Sequence, residues 1–126
     1  MNNTQRRPAP HAAAAVLTKA TLRSAAALGL THSALARVVG VSESTVSRMA
    51  AGARQLAVGS KPAELAALVI RVYRSLDALV GNSDRHRRVW MDSYNRAFNA
   101  APREAMTTAE GLARVVAYLD GARALS

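Results

Sequence analysis

The eight residues after Ser42, ESTVSRMA, combine short hydroxyl side chains with one arginine, a set that suits hydrogen bonding to base edges in DNA. Hydroxyls donate and accept hydrogen bonds, and a guanidinium can bind both major-groove acceptors of a guanine. On a helix, Val46 and Met49 lie three residues apart and would face a neighbouring helix. Four polar side chains then point outward: Glu43, Ser44, Ser47 and Arg48. We predict DNA contacts from Ser42, Glu43, Ser44, Thr45, Ser47, Arg48 and Arg54.

Two short helices joined by a tight turn are needed to position that set. Thr31 suits the N-cap of a first helix over residues 32–39, because its hydroxyl can accept a bond from an unpaired backbone N–H. Gly40 lies where the chain must turn sharply, and glycine reaches positive φ without steric cost. Ser42 then caps a second helix over residues 43–51. The pattern predicts a helix-turn-helix that reads a major groove; the alternative is an ordinary helical hairpin with solvated polar side chains.

Positive charge is concentrated in the same part of the chain. The whole sequence has a net charge of +9. Residues 1–60 contribute +6, with Glu43 their only acidic residue, whereas residues 61–126 contribute +3. Basic side chains around the predicted recognition helix favour contact with phosphates. The alternative is a generally basic protein that its charge keeps soluble, and the asymmetry argues against that reading.

The composition favours an all-α fold without catalytic chemistry. Half of the 126 residues are apolar, many of them alanine, and aromatic residues make up only 4%. The absence of cysteine excludes a disulfide framework and a thiolate metal site. The sequence contains no phosphate-cradling glycine loop, no HExxH motif and no suggestive Ser/His/Asp grouping. We therefore expect no enzyme activity, no metal and no cofactor.

Targeting signals are also lacking in the sequence. No signal peptide is recognisable, and no apolar run approaches the roughly 18 residues that a membrane span needs. We therefore expect a cytoplasmic protein that does not bind a membrane. The stretch over residues 1–10 is polar, basic and proline-punctuated, and we expect it to be disordered.

Further helices are predicted on both sides of the helix-turn-helix. We divide the chain into residues 1–60, comprising the tail and the helix-turn-helix, and residues 61–126, a helical region for dimerisation and partner binding. Thr107 and Glu110 have the spacing of a capping box. The remaining predicted helices cover residues 11–28, 61–80, 84–98 and 108–120, with one turn beginning at Pro102 and a short tail over residues 121–126.

The predicted helix over residues 61–80 has the most regular apolar pattern. Its apolar residues recur every three or four positions, which produces one continuous stripe. Such a stripe can pack in the chain's own core or against a second copy, and a helix-turn-helix that reads a two-fold operator usually requires a dimer. We predict a homodimer contact through Leu65, Leu68, Val69, Val72 and Leu76.

The C-terminal part of the chain contains an order of residues that resembles a known family. The residues are Trp90-Met91, Asn95, Phe98, Pro102 and Met106, then Thr107-Thr108-Ala109-Glu110-Gly111-Leu112, Val115-Val116 and Tyr118-Leu119. This order is similar to the C-terminal domain of Xre/MbcA/ParS antitoxins, in which an Xre-like helix-turn-helix and a long middle helix come first. The resemblance covers residues 20–126.

The resemblance implies an antitoxin of a type II toxin–antitoxin pair. The partner would be a RES-domain toxin, which degrades NAD by an ADP-ribosyltransferase-like reaction. The antitoxin's C-terminal domain would cover the toxin's active site, its N-terminal domain would bind the operon's own promoter, and its middle helices would dimerise. We expect residues 92–126 to hold the toxin, with contacts from Met106, Arg114, Arg123, Leu125 and Ser126.

Two other functions stay open at this point. A stand-alone repressor would use its second half only to dimerise. An architectural DNA-binding protein would show little sequence preference. A neighbouring reading frame for a small toxin would favour the antitoxin, and its absence would favour the repressor.

Overall fold

The computed structural model describes residues 10–125, and this part of the chain is helical, as the composition predicts. The predicted disordered stretch over residues 1–10 lies almost entirely outside the described residues, as does Ser126. Within them, the only β-type pairing is an isolated bridge between Asn95 and Ala100. The helices are α1 Pro10–Ala27, α2 His32–Val39, α3 Glu43–Ala50, α4 Lys61–Val80, α5 Asp84–Asp92, α6 Pro102–Ala105 and α7 Ala109–Leu125.

The caps of α2 and α3 confirm the predicted helix-turn-helix. Thr31 Oγ1 accepts a hydrogen bond from Ala34 N at 3.1 Å, and Ser42 Oγ accepts one from Thr45 N at 3.0 Å. Gly40 ends α2 with a φ of 77°, the left-handed conformation that a residue without Cβ adopts readily. These local interactions satisfy backbone groups at the helix ends and define the turn between the two helices.

Helix α4 lies at the centre of the fold and packs against α1, α2 and α7. Ser60 caps its first turn, and Gly81 ends it with a φ of 65°. The buried side chains of both halves form one continuous hydrophobic cluster that includes Leu28, Val46 and Leu119. The helix-turn-helix and the C-terminal helices are therefore built around a shared core.

The apolar stripe of α4 faces this core, which corrects the predicted dimer contact. Val69, Val72 and Leu76 are 0–1% exposed and cannot meet a second copy of the folded chain. Leu65 and Leu68 are half-buried and pack against the same core. The stripe is buried within the chain because α1 and α7 pack against α4.

Two arginines from the C-terminal half bind the end of α1. Arg87 Nε donates to the carbonyl of Ala27 at 3.0 Å, and Arg103 Nη1 donates to the carbonyl of Gly29 at 2.7 Å. Carbonyls at a helix C-terminus lack partners within the helix and carry partial negative charge. The two cations therefore join the C-terminal half to the first helix.

Two helix boundaries near the C-terminus differ from the prediction. Helix α5 ends at Asp92 instead of continuing to residue 98, because Ser93 is extended and Asn95 N donates to the carbonyl of Ala100 at 3.0 Å. Helix α7 continues to Leu125, through the segment predicted as a tail. Gly121 does not stop it, since glycine weakens a helix without excluding one.

The predicted capping box at the start of α7 is replaced by a simple N-cap one residue later. Thr108 Oγ1, rather than that of Thr107, accepts a hydrogen bond from Gly111 N at 3.0 Å. Thr107 Oγ1 instead donates to the carbonyl of Glu104 at 2.7 Å. Gly111 has no room for a side chain, because an added Cβ would lie 1.8 Å from the carbonyl oxygen of Ala105. This close approach packs α6 against α7.

Candidate functional site

The predicted DNA-contacting residues lie on the outer side of α3 and in the segments that flank it. Helix α3 packs against α2 and α1 through Val46 and Met49, which are 0% and 3% exposed. Thr45 is half-buried. The exposed members of the predicted set are Ser42, Glu43, Ser44, Ser47, Arg48 and Arg54.

Hydrogen bonds link several side chains at the start of α3. Ser42 Oγ lies 2.8 Å from Thr45 Oγ1 and 3.1 Å from Ser44 Oγ. Arg48 Nη2 donates a longer bond of 3.4 Å to Thr45 Oγ1. The arginine thus starts from an oriented position while its guanidinium keeps donors for another ligand.

The charge around this surface is not neutralised locally. No ion pair forms within described residues 10–60, where Glu43 is the only carboxylate. Three further exposed cations of that range lie on α1 and α2: Lys19, Arg23 and Arg37. The N-terminal half therefore offers a positive surface to a polyanion.

The residues predicted to contact a protein partner lie in different environments. Met106 is 0% exposed, so it packs in the core and cannot serve as a surface contact. Arg114 is exposed and forms a 2.6 Å ion pair with Glu110. Arg123 Nη1 donates to Ser75 Oγ of α4 at 3.2 Å, and Leu125 is 91% exposed. The predicted contact at Ser126 lies outside the described residues.

Helical register determines which of these residues share a face. Leu125 lies seven positions after Tyr118, and Arg114 lies four positions before it, so all three lie along one side of α7. Arg123 is turned towards α4 instead, where Asp120 and Ser75 also interact. The structure thus brings Arg114 and Leu125 onto one face and separates Arg123 from them.

An aromatic cluster, which the sequence interpretation did not assign as a binding site, lies next to this face. We define it as Trp90, Phe98 and Tyr118. The ring centroids are 6.3 Å apart for Trp90–Phe98, 6.2 Å for Trp90–Tyr118 and 5.3 Å for Phe98–Tyr118. The available signal was positional, because four of the chain's five aromatic residues fall between positions 90 and 118.

Residues 10–125 contain no group of three or more side chains arranged to hold a metal ion. Within the same range, no helix is both long enough and apolar enough to cross a membrane. The described surface presents exposed cations around α3 and exposed aromatic and aliphatic side chains at the C-terminal half.

Comparison with known families assigns both halves of the chain. The family described as antitoxin Xre-like helix-turn-helix domain matches residues 7–71. The family described as antitoxin Xre/MbcA/ParS C-terminal toxin-binding domain matches residues 75–124. Among curated proteins, none matches the chain. The gap between the two matched ranges, residues 72–74, falls within α4, the helix that contacts both halves. On these matches, the chain belongs to the Xre/MbcA/ParS-type antitoxin family, with an Xre-like helix-turn-helix followed by a C-terminal toxin-binding domain.

Proposed function

We propose that this antitoxin neutralises a RES-domain, NAD-degrading toxin and represses its own operon. The observation that carries the proposal is the presence, on one core, of an exposed recognition helix and a domain of the toxin-binding family. Neither activity requires a reaction by this chain. Repression follows from occupying the promoter, and neutralisation follows from covering the toxin's active site.

The DNA contact would be made by α3 in a major groove. Ser44, Ser47 and Arg48 would face base edges, while Ser42, Thr45 and Arg54 would help to hold the backbone. Glu43 can accept a hydrogen bond from a cytosine amino group. The support for this assignment is the exposure of these side chains, apart from half-buried Thr45, and the absence of local carboxylates other than Glu43.

The toxin contact would be made by the C-terminal domain. Arg114 and Leu125 lie on an exposed face of α7, and Arg123 lies at the end of the same helix. A cationic side chain of the antitoxin could pair with acidic groups near the toxin's nucleotide-binding pocket. An apolar side chain could fill part of the entrance to that pocket. Exclusion of NAD would then inactivate the toxin without proteolysis.

A homodimer would allow two copies of α3 to read a two-fold operator. The α4 stripe is buried, so we propose that copies pair through the exposed side of α1 and α4. A groove of about 490 Å³ lies there, lined by Val16 and Ile70 among small alanines. Val16 is 70% exposed, and alanines permit close helix approach. Lys19, Arg23 and Arg74 line the adjoining groove.

Co-expression tests the proposed function most directly. The reading frame next to this gene is induced in cells with or without this chain, and growth and total NAD are measured. We expect NAD to fall when the neighbouring product is made alone and to be restored when this chain is present. Unchanged NAD together with specific promoter binding would instead support the stand-alone repressor.

A further inference from the structure

We infer that the aromatic cluster of Trp90, Phe98 and Tyr118 is the main anchor for the toxin, an inference that rests on the proposed function. The cluster would fill an apolar hollow whose rim carries carboxylates. The α7 face with Arg114 and Leu125 would then make the surrounding contacts.

The cluster has a buried base and an accessible rim. Phe98 is 9% exposed and packs edge-on against both other rings. Trp90 is half-buried, while Tyr118 is 42% exposed. Phe98 supports the other two rings through edge-to-face contacts, which limits their motion before any partner arrives. A rigid aromatic surface loses little conformational entropy on binding.

A second exposed tyrosine, Tyr94, lies close to Phe98 in the sequence. Tyr94 is 63% exposed and follows α5 in the turn that also contains Phe98. Its hydroxyl donates to Asn99 Oδ1 at 2.7 Å, which holds the ring although it lies in solvent. Tyrosine and tryptophan are enriched among residues that dominate protein interfaces, because they bury large areas and retain a polar atom.

The surrounding charge indicates the chemistry of the partner. Arg96 is exposed and is the only charged residue between Ser93 and Ala101. Arg114 is exposed on the α7 face that carries Tyr118, and its ion pair with Glu110 is also exposed, so a partner carboxylate can take the place of Glu110 at little cost. A partner surface with carboxylates around an apolar hollow would complement both cations and would steer association. Duplex DNA would not stack on the exposed rings, because its bases are already stacked on one another.

The cluster also lies beside a groove that could receive part of the partner. The groove is about 440 Å³ and is lined in part by Phe98, Glu104, Thr108 and Arg114. It shares Phe98 with the cluster and Arg114 with the α7 face. The two features are therefore continuous, and the whole surface falls within the range matched by the toxin-binding family.

Truncation of the exposed rings tests the inference. The probe is the purified polypeptide encoded by the neighbouring reading frame, and its affinity is measured by calorimetry. We expect Tyr118→Ala and Tyr94→Ala to weaken binding, Tyr118→Ala by about 30-fold or more. Val58→Ala is the matched control, because Val58 is 57% exposed but lies in the connector before α4.

The single tryptophan provides a second measurement that needs no substitution in this chain. Trp90 is the only tryptophan of the chain. Its fluorescence emission can be followed in the complex when the partner's tryptophans are replaced or their emission is subtracted. We expect the emission to shift to shorter wavelength and its quenching by iodide to fall when the partner binds. Operator DNA should leave both quantities unchanged.

The outcomes separate the inference from the proposed function. If the wild-type chain binds its neighbour while both tyrosine variants bind equally well and Trp90 stays accessible to iodide, the anchor lies elsewhere and the antitoxin function stands. If the wild-type chain does not bind its neighbour, the proposed function fails and the inference fails with it. Reduced binding by the tyrosine variants, with unchanged circular dichroism and operator affinity, supports the anchor.

Discussion

The guanidinium of Arg87 donates a 2.9 Å hydrogen bond to Asp77, ten residues earlier in the chain, and its side chain is only 6% exposed. Arg87 also pairs with Asp84 and lies 5.4 Å above the ring of Tyr73. With its bond to the Ala27 carbonyl, this one cation joins α1, α4 and α5. A side chain from the basic run over residues 85–88 is thus part of the core.

Removal of Arg87 should cost more stability than any exposed ion pair. Arg87→Ala leaves Asp77 without its cation and the Ala27 carbonyl without a donor, so we expect a loss of about 3–5 kcal/mol. Lys61→Ala is the control, because the Lys61–Glu64 pair is exposed and should contribute about 0–1 kcal/mol. Urea midpoints measure both. Equal midpoints for the two variants would contradict the structural role of Arg87.

Loss of Arg48 should weaken recognition of the operator. If Arg48 binds a guanine, Arg48→Ala should cost about 1–3 kcal/mol and relax the preference at that base pair. Arg85→Ala removes another exposed cation, on α5 and outside the helix-turn-helix, and should have little effect. Titration of operator DNA with each variant at a fixed salt concentration measures both affinities. An unchanged affinity for Arg48→Ala would remove this residue from the recognition surface.

Two glycines of α7 should respond in opposite directions to the same substitution. Gly111→Ala places a Cβ 1.8 Å from a backbone oxygen, so it should destabilise the protein by separating α6 from α7. Gly121→Ala meets open space inside a helix and should stabilise the protein by about 0.5–1 kcal/mol. Thermal unfolding compares the two midpoints. A lower midpoint for Gly121→Ala would contradict the helical continuation to Leu125.

Salt should act in opposite directions on DNA binding and on self-association. Operator affinity should fall as salt rises, because counterions compete for the phosphates. The proposed dimer face is apolar with cations around it, so screening their repulsion should strengthen pairing. Sedimentation equilibrium at two salt concentrations measures the self-association.

Val16→Arg should favour the monomer without lowering the melting temperature, since Val16 is exposed. Glu64→Arg, which changes charge on an exposed part of α4 that the groove does not include, serves as the comparison. Persistence of the dimer in Val16→Arg would show that another surface mediates the pairing.

Local rules predicted the helix-turn-helix well because its signals lie close together in the chain. Thr31, Gly40 and Ser42 act on backbone groups within four residues, so their capping roles follow from residue type and spacing. The polar residues of α3 are exposed as predicted, because Val46 and Met49 orient that helix. Leu112 and Leu119 are buried for the same periodic reason.

The sequence alone therefore determined the all-α class, the helix-turn-helix and the family resemblance, since each depends on residue types at short separations. The tertiary structure decided how the apolar surface is divided. Helices α1 and α7 cover the stripe of α4, and Met106 is buried in the shared core. Helix α5, the loop that follows it and α7 bring together Trp90, Phe98 and Tyr118. Periodicity marks a side chain as apolar, but burial depends on which elements arrive from distant parts of the chain. Packing between elements distant in the sequence also placed Arg87 in the core and left Tyr118 at the surface.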